Sequence, residues 1–235
     1  FLLASTYDQD MHANPNNPSA TNGTDQAWGG NRARPDLVKK FFPNGNVPNL
    51  ESYATAEAAG DDRALFCGVN RTLDNDDVAT FKSGFAVAKF TNFKTDGSAG
   101  HDATFPDADF FLMRAAEAYL NFAEADARLN GGETTAEGTA AINAIRKRAN
   151  ASTRPEDKSY SLNDICDEWS REFYFEGRRR MDLIRFNRYG GNVNYNWQWK
   201  GGTKEGRNFS KDLNIFAIPT NELTSNKNLI QNPGY

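Results

Sequence analysis

Apolar residues recur at helical spacing in the middle of the chain. Residues 109–130 are rich in alanine and other strong helix formers, with Asp107 or Asp109 as candidate N-cap. The helix-stopping Asn-Gly-Gly at 130–132 follows them. A second helix is predicted at about 134–149, where alanine and isoleucine share one face. Two such helices joined by a short turn predict an antiparallel helical hairpin, as found in tetratricopeptide-like repeats, although no strict 34-residue period is visible.

A third helix is predicted from Ser161, where S-L-N-D forms an acidic variant of the capping box. It continues into the segment 168–185, and Gly177 is either tolerated inside it or ends it. Within this segment Glu168, Glu172 and Glu176 are four residues apart, so they lie on one face of a helix.

The regions before and after these predicted helices lack their helical periodicity. Residues 1–33 are dense in Asn, Pro and Gly, which favours loops. Pro35 opens a short predicted helix. Short strands or extended segments are predicted at 62–69 and 84–90, and an extended run at 213–219 precedes a helical turn. The predicted fold is mainly α, with antiparallel helix pairs, an irregular loop-rich lobe and a few short strands.

Four segments in the same order resemble one family. The segment 168–185, E-W-S-R-E-F-Y-F-E-G-R-R-R-M-D-L-I-R, is similar to the central motif of SusD/RagB proteins. R-A-A-E-A-Y-L-N-F-A-E-A at 114–125 and A-I-N-A-I-R-K-R-A at 141–149 resemble two further family helices. The end of the chain, I-P-T-N-E-L followed by N-K-N-L-I-Q-N-P-G-Y, resembles the family's closing segment. Residues 1–108 match more loosely.

The resemblance implies a tetratricopeptide-like scaffold built from both halves of a protein about twice this length. We therefore expect this chain to be the C-terminal half, without the signal peptide and lipidated cysteine of such proteins. Within one continuous domain we expect a loop-rich part at 1–108, helices at 109–188 and an irregular segment at 189–235. The motif's charges are then expected to hold helices together, because buried charges must be paired. They are Arg114, Glu117, Glu124, Arg146, Arg148, Glu172, Glu176, Arg179, Asp182 and Arg185.

Composition limits the classes of function. The 235 residues carry a net charge of −4, which argues against nucleic-acid binding because phosphate contacts need a basic surface. No window has the roughly 18–20 apolar residues of a membrane-spanning helix. Cys67 and Cys166 either pair or stay free, and two buried thiols are favoured.

No catalytic motif is present, and two histidines lie in unrelated loops. Asp8, Asp10 and His12 have a D-x-D-x-H spacing that an ordinary polar loop explains better than a metal site. We expect no metal, no cofactor and no enzymatic activity. A glycoside hydrolase built on the paired carboxylates is the weakest alternative.

Aromatic residues in loops are the candidate ligand contacts, because sugar rings dock their C–H faces on flat side chains. Trp28 stands in Q-A-W-G-G-N-R, beside Asn31 and Arg32, which offer partners for hydroxyls. Tyr7 belongs to the same region. Trp197 and Trp199 alternate with Tyr195, so in an extended segment they would share one face, either as a stacking platform for a sugar or as a cover for the helical core.

The resemblance implies a glycan-binding lipoprotein on the extracellular face of the outer membrane, which delivers oligosaccharide to a SusC-like TonB-dependent transporter. Its membrane contact would be a lipid anchor outside this chain. The alternative is a tetratricopeptide-like scaffold that binds peptides or proteins and has no affinity for sugars.

Overall fold

The computed structural model describes residues 31–235 except 81, 103–108 and 110. The regular secondary structure of these residues is mainly helical, as predicted, and the chain divides into two compact units after Gly177. The elements in chain order are α1 (Pro35–Lys39), α2 (Ser52–Ala59), β1 (Phe66–Cys67), β2 (Ala86–Val87), α3 (Ala115–Leu129), α4 (Ala136–Arg148), α5 (Leu162–Phe173), α6 (Arg179–Arg185), 3-10 turns at Lys200–Gly202 and Lys211–Asn214, and α7 (Thr220–Ser225).

Helices α3 and α4 form the predicted antiparallel pair, and α5 packs against α3. The apolar residues Leu120 of α3 and Ile142 of α4 are fully buried. The turn between the two helices is fixed by Asp126, whose carboxylate accepts hydrogen bonds from the backbone and hydroxyl of Thr135. Gly138 leaves room for that carboxylate, since a Cβ there would lie 2.1 Å from its oxygen.

Helix α3 begins later than the pattern predicts. Asp109 lies in non-helical backbone, and Asp107 falls outside the described residues. The N-cap is Arg114, with extended backbone at φ −150° and no capping side chain. Its side chain instead reaches Glu176, so the position is set by a tertiary contact rather than by capping propensity.

Helix α5 begins as predicted. Ser161 is its N-cap, and the reciprocal hydrogen bonds with Asp164 complete the capping box. The helix ends at Phe173, well before the end of the motif. Phe175 at φ 60° and Gly177 at φ 76° are left-handed, a conformation that interrupts an α-helix. Gly177 was predicted either to be tolerated inside the helix or to mark a break in it, and the structure shows the break.

The strands are shorter than predicted and pair antiparallel, with Phe66 opposite Val87. They contribute to a core with α1, in which the rings of Phe41, Phe66 and Tyr174 contact one another. The phenol of Tyr174, which follows α5 directly, donates to the carbonyl of Arg63 at 2.7 Å. This core therefore joins the first part of the chain to the end of α5.

In the second unit, Arg178–Tyr235, the C-terminal tail is held against the extended run. Gln231 accepts from the backbone of Ile218 and donates to its carbonyl at 2.9 Å. The phenol of Tyr235 donates to the carbonyl of Ile215 at 2.8 Å. The extended run is confirmed from Ile215 onward, while its first two residues belong to the 3-10 turn.

Cys67 and Cys166 are buried thiols that form no disulfide with each other, which confirms the favoured prediction. Burial raises the pKa of the Cys67 thiol to about 11, so it stays protonated at neutral pH. Among the described residues, no helix combines the length and the apolar composition that crossing a membrane requires. The predicted division of one domain into segments 1–108, 109–188 and 189–235 stays a prediction.

Candidate functional site

The carboxylate of Glu168 is fully buried and has three arginine partners. Arg63 approaches one oxygen at 2.7 Å, while Arg146 and Arg171 approach the other at 2.6 and 2.7 Å. These arginines come from the segment before β1, from α4 and from α5 itself. One carboxylate therefore connects three parts of the first unit.

The next carboxylate on the same face, that of Glu172, has its own set of cations. It accepts from Arg63 at 3.0 Å and from Arg148 at 2.8 Å, and Arg114 completes the set. Arg63 also binds Asp61 at 2.7 Å, so its guanidinium bridges carboxylates from two segments. The network is continuous because both Glu168 and Glu172 share Arg63.

The third carboxylate, Glu176, is bound by Arg114 at 2.8 Å and by Lys89. The ammonium of Lys89 also donates to the carbonyls of Glu172 and Tyr174 at 2.9 and 3.0 Å. Two cations thus meet the C-terminal end of α5, where unpaired carbonyls and the helix dipole favour positive charge. Lys89 lies 4.5 Å from the centre of the Tyr174 ring.

These carboxylates are permanently ionised at neutral pH. Burial alone would raise the pKa of Glu168, but the charges of Arg171, Arg63 and Arg146 outweigh it and lower the pKa to about 2. Burial likewise opposes the arginine contacts at Glu172 and Glu176, and both pKa values are lowered. A general acid needs a pKa near the working pH, so this cluster has the chemistry of a paired ionic core rather than of a catalytic pair.

The structure thus brings Arg114, Arg146, Arg148, Glu172 and Glu176 together. No sequence pattern pointed to Arg63 or Asp61. For Lys89 the sequence contains one indication of a buried role, because this lysine lies within the otherwise apolar run G-F-A-V-A-K-F.

The other predicted structural residues lie elsewhere. Glu124 accepts from the indole of Trp169 at 3.0 Å. Glu117 lies in the first turn of α3.

In the second unit, Asp182 is buried and binds Arg178 and Arg185 at 3.1 and 3.0 Å. Arg179 donates to the hydroxyl of Tyr195. The motif is therefore divided between the two units at Gly177.

The loop 189–209 of the second unit is built around a buried lysine. Lys200 is 1% exposed and donates to the carbonyl of Tyr195 at 2.7 Å and to the side-chain oxygen of Asn208 at 2.9 Å. The ring of Trp197 lies 4.8 Å from its ammonium. Hydrogen bonds and an aromatic face thus replace water around the cation.

Beside this lysine the second unit has an open cavity of about 510 Å³. The ring of Tyr189 stacks on Trp197 with centroids 6.1 Å apart and meets Phe209 edge-on at 5.0 Å. The cavity thus combines aromatic surface with an arginine and an amide. It is lined by Tyr189, Gly201, Arg207, Asn208, Phe209 and Leu213.

The predicted ligand residues are spread over the chain. Tyr7 and Trp28 lie outside the described residues, as do Asp8, Asp10 and His12. Asn31 is exposed. Arg32 donates to the carbonyls of Val78, Thr80 and Ser83, and so orders the turn that contains them.

Trp197 and Trp199 lie in the loop around Lys200. Trp199 is left-handed at φ 69°, so the backbone turns there and does not continue as an extended segment. Within the described part of the chain, no group of three metal-binding side chains comes together.

A model of the SusD family matches residues 54–235. The chain belongs to the SusD family. This SusD-family chain is 37% identical to the starch-binding protein SusD of Bacteroides thetaiotaomicron over 244 residues, which cover 91% of this chain and 43% of that protein. It therefore spans less than half the length of this curated relative.

The solved structures similar to this SusD-family chain show the same fold. A SusD superfamily protein from Parabacteroides distasonis is 20% identical with a TM-score of 0.59, and the match covers 92% of this chain and 45% of that one. A SusD-like protein from Bacteroides fragilis is 21% identical with a TM-score of 0.58, covering 98% of this chain and 50% of that one. At these identities the likeness concerns the fold alone.

Replacing Lys200 in this SusD-family protein with alanine is expected to loosen the loop 189–209. Two hydrogen bonds from a charged donor are lost, each worth about 1.5–3 kcal/mol, so amide exchange at Gly191 and Arg207 should accelerate at least about tenfold. Hydrogen-exchange mass spectrometry measures this. The exposed Lys227→Ala change is the control. Unchanged protection in the Lys200 variant would show that the buried cation does not organise the loop.

Proposed function

We propose that this protein binds oligosaccharide without transforming it. The observation that carries the proposal is membership of the SusD family together with 37% identity to a starch-binding protein over 91% of the chain. Two structural features agree with it. The buried carboxylates of α5 are ionised and fully paired, and the loop 189–209 presents aromatic side chains around a cavity.

Glycan contact in this proposal is made by loop aromatics and neighbouring polar groups. Trp28 supplies a flat ring for a sugar face, with Tyr7 as a second ring from the same region. Asn31, three positions after Trp28 in the sequence, offers an exposed amide, and Arg32, which orders the turn with Ser83, is the further polar contact proposed here. Among the loop aromatics of the second unit, Trp197 and Trp199 are further contacts.

We propose the cellular role of the whole protein on the support of the same family membership. It acts on the extracellular face of the outer membrane, held by a lipid anchor that belongs to the full-length protein. There it passes oligosaccharide to a SusC-like TonB-dependent transporter. Deletion of the gene for the proposed SusC-like transporter is expected to abolish growth on the bound glycan while leaving surface binding intact.

Replacing Trp28 with alanine is expected to raise the Kd for the bound glycan at least about tenfold, because an aromatic anchor at the centre of a site typically contributes more than 1.4 kcal/mol. Affinity electrophoresis in gels containing soluble starch, dextran, pullulan or xylan identifies the ligand, and isothermal titration measures the Kd. Tyr53→Ala is the matched control, since Tyr53 is an exposed aromatic residue of α2 outside the candidate site.

Two outcomes would contradict parts of this proposal. Retention that is unaffected by Trp28→Ala would exclude the proposed site while keeping glycan binding. Absence of retention on every glycan, with the full-length protein folded, would exclude the function. Peptide binding under those conditions would then favour the scaffold alternative.

A further inference from the structure

The second unit carries an excess of positive charge. Residues 178–235 contain ten Lys and Arg side chains and four Asp and Glu side chains, so their net charge is +6 in a chain whose total is −4. The remainder of the chain is accordingly acidic. An asymmetry of this kind gives one unit an attraction for anions that the total charge of the protein conceals.

Three cations adjoin the cavity of the second unit. Arg207 lines it, and Lys200 donates to Asn208 of the lining at 2.9 Å. The guanidinium of Arg180 lies 5.1 Å from the ring centre of Tyr189 and donates to the carbonyl of Leu213 at 3.0 Å. Within the described part of the chain, none of these three cations forms an ion pair with a carboxylate.

The buried cations of the first unit differ in this respect. Arg63 and Arg146 both contact the carboxylate of Glu168, at 2.7 and 2.6 Å. Lys200 is 1% exposed, yet its partners are a backbone carbonyl, an amide oxygen and aromatic rings. Burial lowers the pKa of its ammonium, because desolvation opposes the charged form. An anion close to this loop would therefore be stabilised by a charge that the loop itself leaves without a counter-charge.

The polar side chains of the lining mainly donate hydrogen bonds. Arg207 has no acceptor, and its Nε donates to the carbonyl of Gly201 at 2.9 Å, while its Nη atoms form no hydrogen bond within the residues that the structure describes. The side-chain oxygen of Asn208 already accepts from Lys200. A sugar hydroxyl must donate as well as accept, so it finds few side-chain acceptors here. A carboxylate only accepts, and its two oxygens match the paired N–H groups of a guanidinium.

The remaining large side chains of the lining are mostly aromatic. Tyr189 and Phe209 are partly exposed and meet edge-on at 5.0 Å, and Trp197 stacks on Tyr189. Flat rings of this kind accept the C–H face of a pyranose. A ligand that combines a pyranose ring with a carboxylate uses both parts of the lining, the aromatic rings and Arg207.

We propose that this cavity binds an acidic sugar residue, a uronate, whose carboxylate pairs with Arg207 while its ring rests on Tyr189 and Phe209. Arg180 and Lys200 add positive potential beside the ligand. The inference rests on the proposed function, because it names the class of sugar that the loop 189–209 selects. Charge then distinguishes a uronate polymer from a neutral glycan such as starch.

Affinity electrophoresis of the full-length protein in gels that contain polygalacturonate, alginate or hyaluronan tests the inference. We expect retention on at least one of these uronate polymers, and isothermal titration with a tetrasaccharide of that polymer measures the Kd. Arg207→Gln should raise this Kd at least about tenfold, because a charge-assisted pair of hydrogen bonds is lost. Lys204→Gln is the matched control, since it removes the same charge from an exposed residue of the same loop outside the cavity lining.

A control on the ligand does not depend on any variant. The carboxyl-reduced form of the retained polymer has a hydroxymethyl group in place of each carboxylate, and we expect it not to be bound. Binding of the reduced form with unchanged affinity would overturn the inference. Thermal melts of both variants, which should superimpose on that of the unchanged protein, show that the second unit stays folded.

The remaining outcomes separate this inference from the proposed function. Retention on soluble starch without retention on any uronate polymer would overturn the inference and leave the proposed function in place, whereas no retention on any glycan would exclude both. A Kd that Arg207→Gln leaves unchanged, or that both variants raise equally, would show that the cavity does not bind the carboxylate. Retention on dextran sulfate but on no uronate polymer would assign the cavity to sulfated sugars and would also overturn the inference.

Discussion

Glu168→Gln is expected to lower the free energy of unfolding by about 3–5 kcal/mol, the usual cost of removing one partner from a buried ion pair. The change keeps the shape of the side chain but removes the charge that Arg63, Arg146 and Arg171 surround. The three guanidinium groups would then face one another in a buried site without their shared counter-charge. Urea unfolding followed by circular dichroism at 222 nm measures the loss.

Glu156→Gln is the matched control for this experiment. Glu156 is exposed in the loop between α4 and α5, so the same chemical change there should alter stability by no more than about 0.5 kcal/mol. Equal stabilities for the Glu168 and Glu156 variants would mean that the ionic core contributes nothing to folding. Loss of stability without loss of glycan binding below the melting temperature would agree with a purely structural role.

Acidification is expected to destabilise the protein as the pH falls from about 5 to 2. The pKa of Glu168 is about 2 in the folded protein against an ordinary value of 4.5, so in this range the unfolded chain binds more protons than the folded one. Stability therefore rises with pH through this window and is fully present above it. Glu168 alone accounts for about 3 kcal/mol, and the lowered pKa values of Glu172 and Glu176 act in the same direction.

Urea unfolding at pH 7, 5, 4 and 3 measures this dependence. The Glu168→Gln variant is the control, because it lacks the largest contribution and should show a shallower decrease between pH 5 and 3. A wild-type free energy of unfolding that is constant between pH 5 and 3 would contradict the pKa assignment. Added salt should change the slope little, because buried pairs are weakly screened.

The helices that local sequence determines were predicted well. Ser161 with Asp164 forms the capping box, and Pro35 opens α1. Both depend on contacts within three residues, which a sequence displays directly. The start of α3 was predicted wrongly because Arg114 is recruited by Glu172 and Glu176, about sixty positions away. Helix propensity describes local preferences, so it cannot predict such a long-range contact.

The ionic core was predictable in part. Four-residue spacing placed Glu168, Glu172 and Glu176 on one face, and the structure brings them to arginines of the other family segments. Arg63 and Lys89 were missed, because they come from the strand region and no periodicity links them to α5. The aromatic candidates of the first thirty residues stay predictions.

By itself the sequence determined the family, the helical class and the capping of α5, since each is encoded in residue order and local spacing. Only the tertiary structure decided where the 168–185 motif divides, because that depends on the left-handed backbone at Phe175 and Gly177. It also decided which cations meet each carboxylate, and that one side of α3 stays exposed. Which distant residues meet, and which surface stays exposed, depends on how the elements pack. Packing results from many contacts between segments, and no single segment of the sequence contains them.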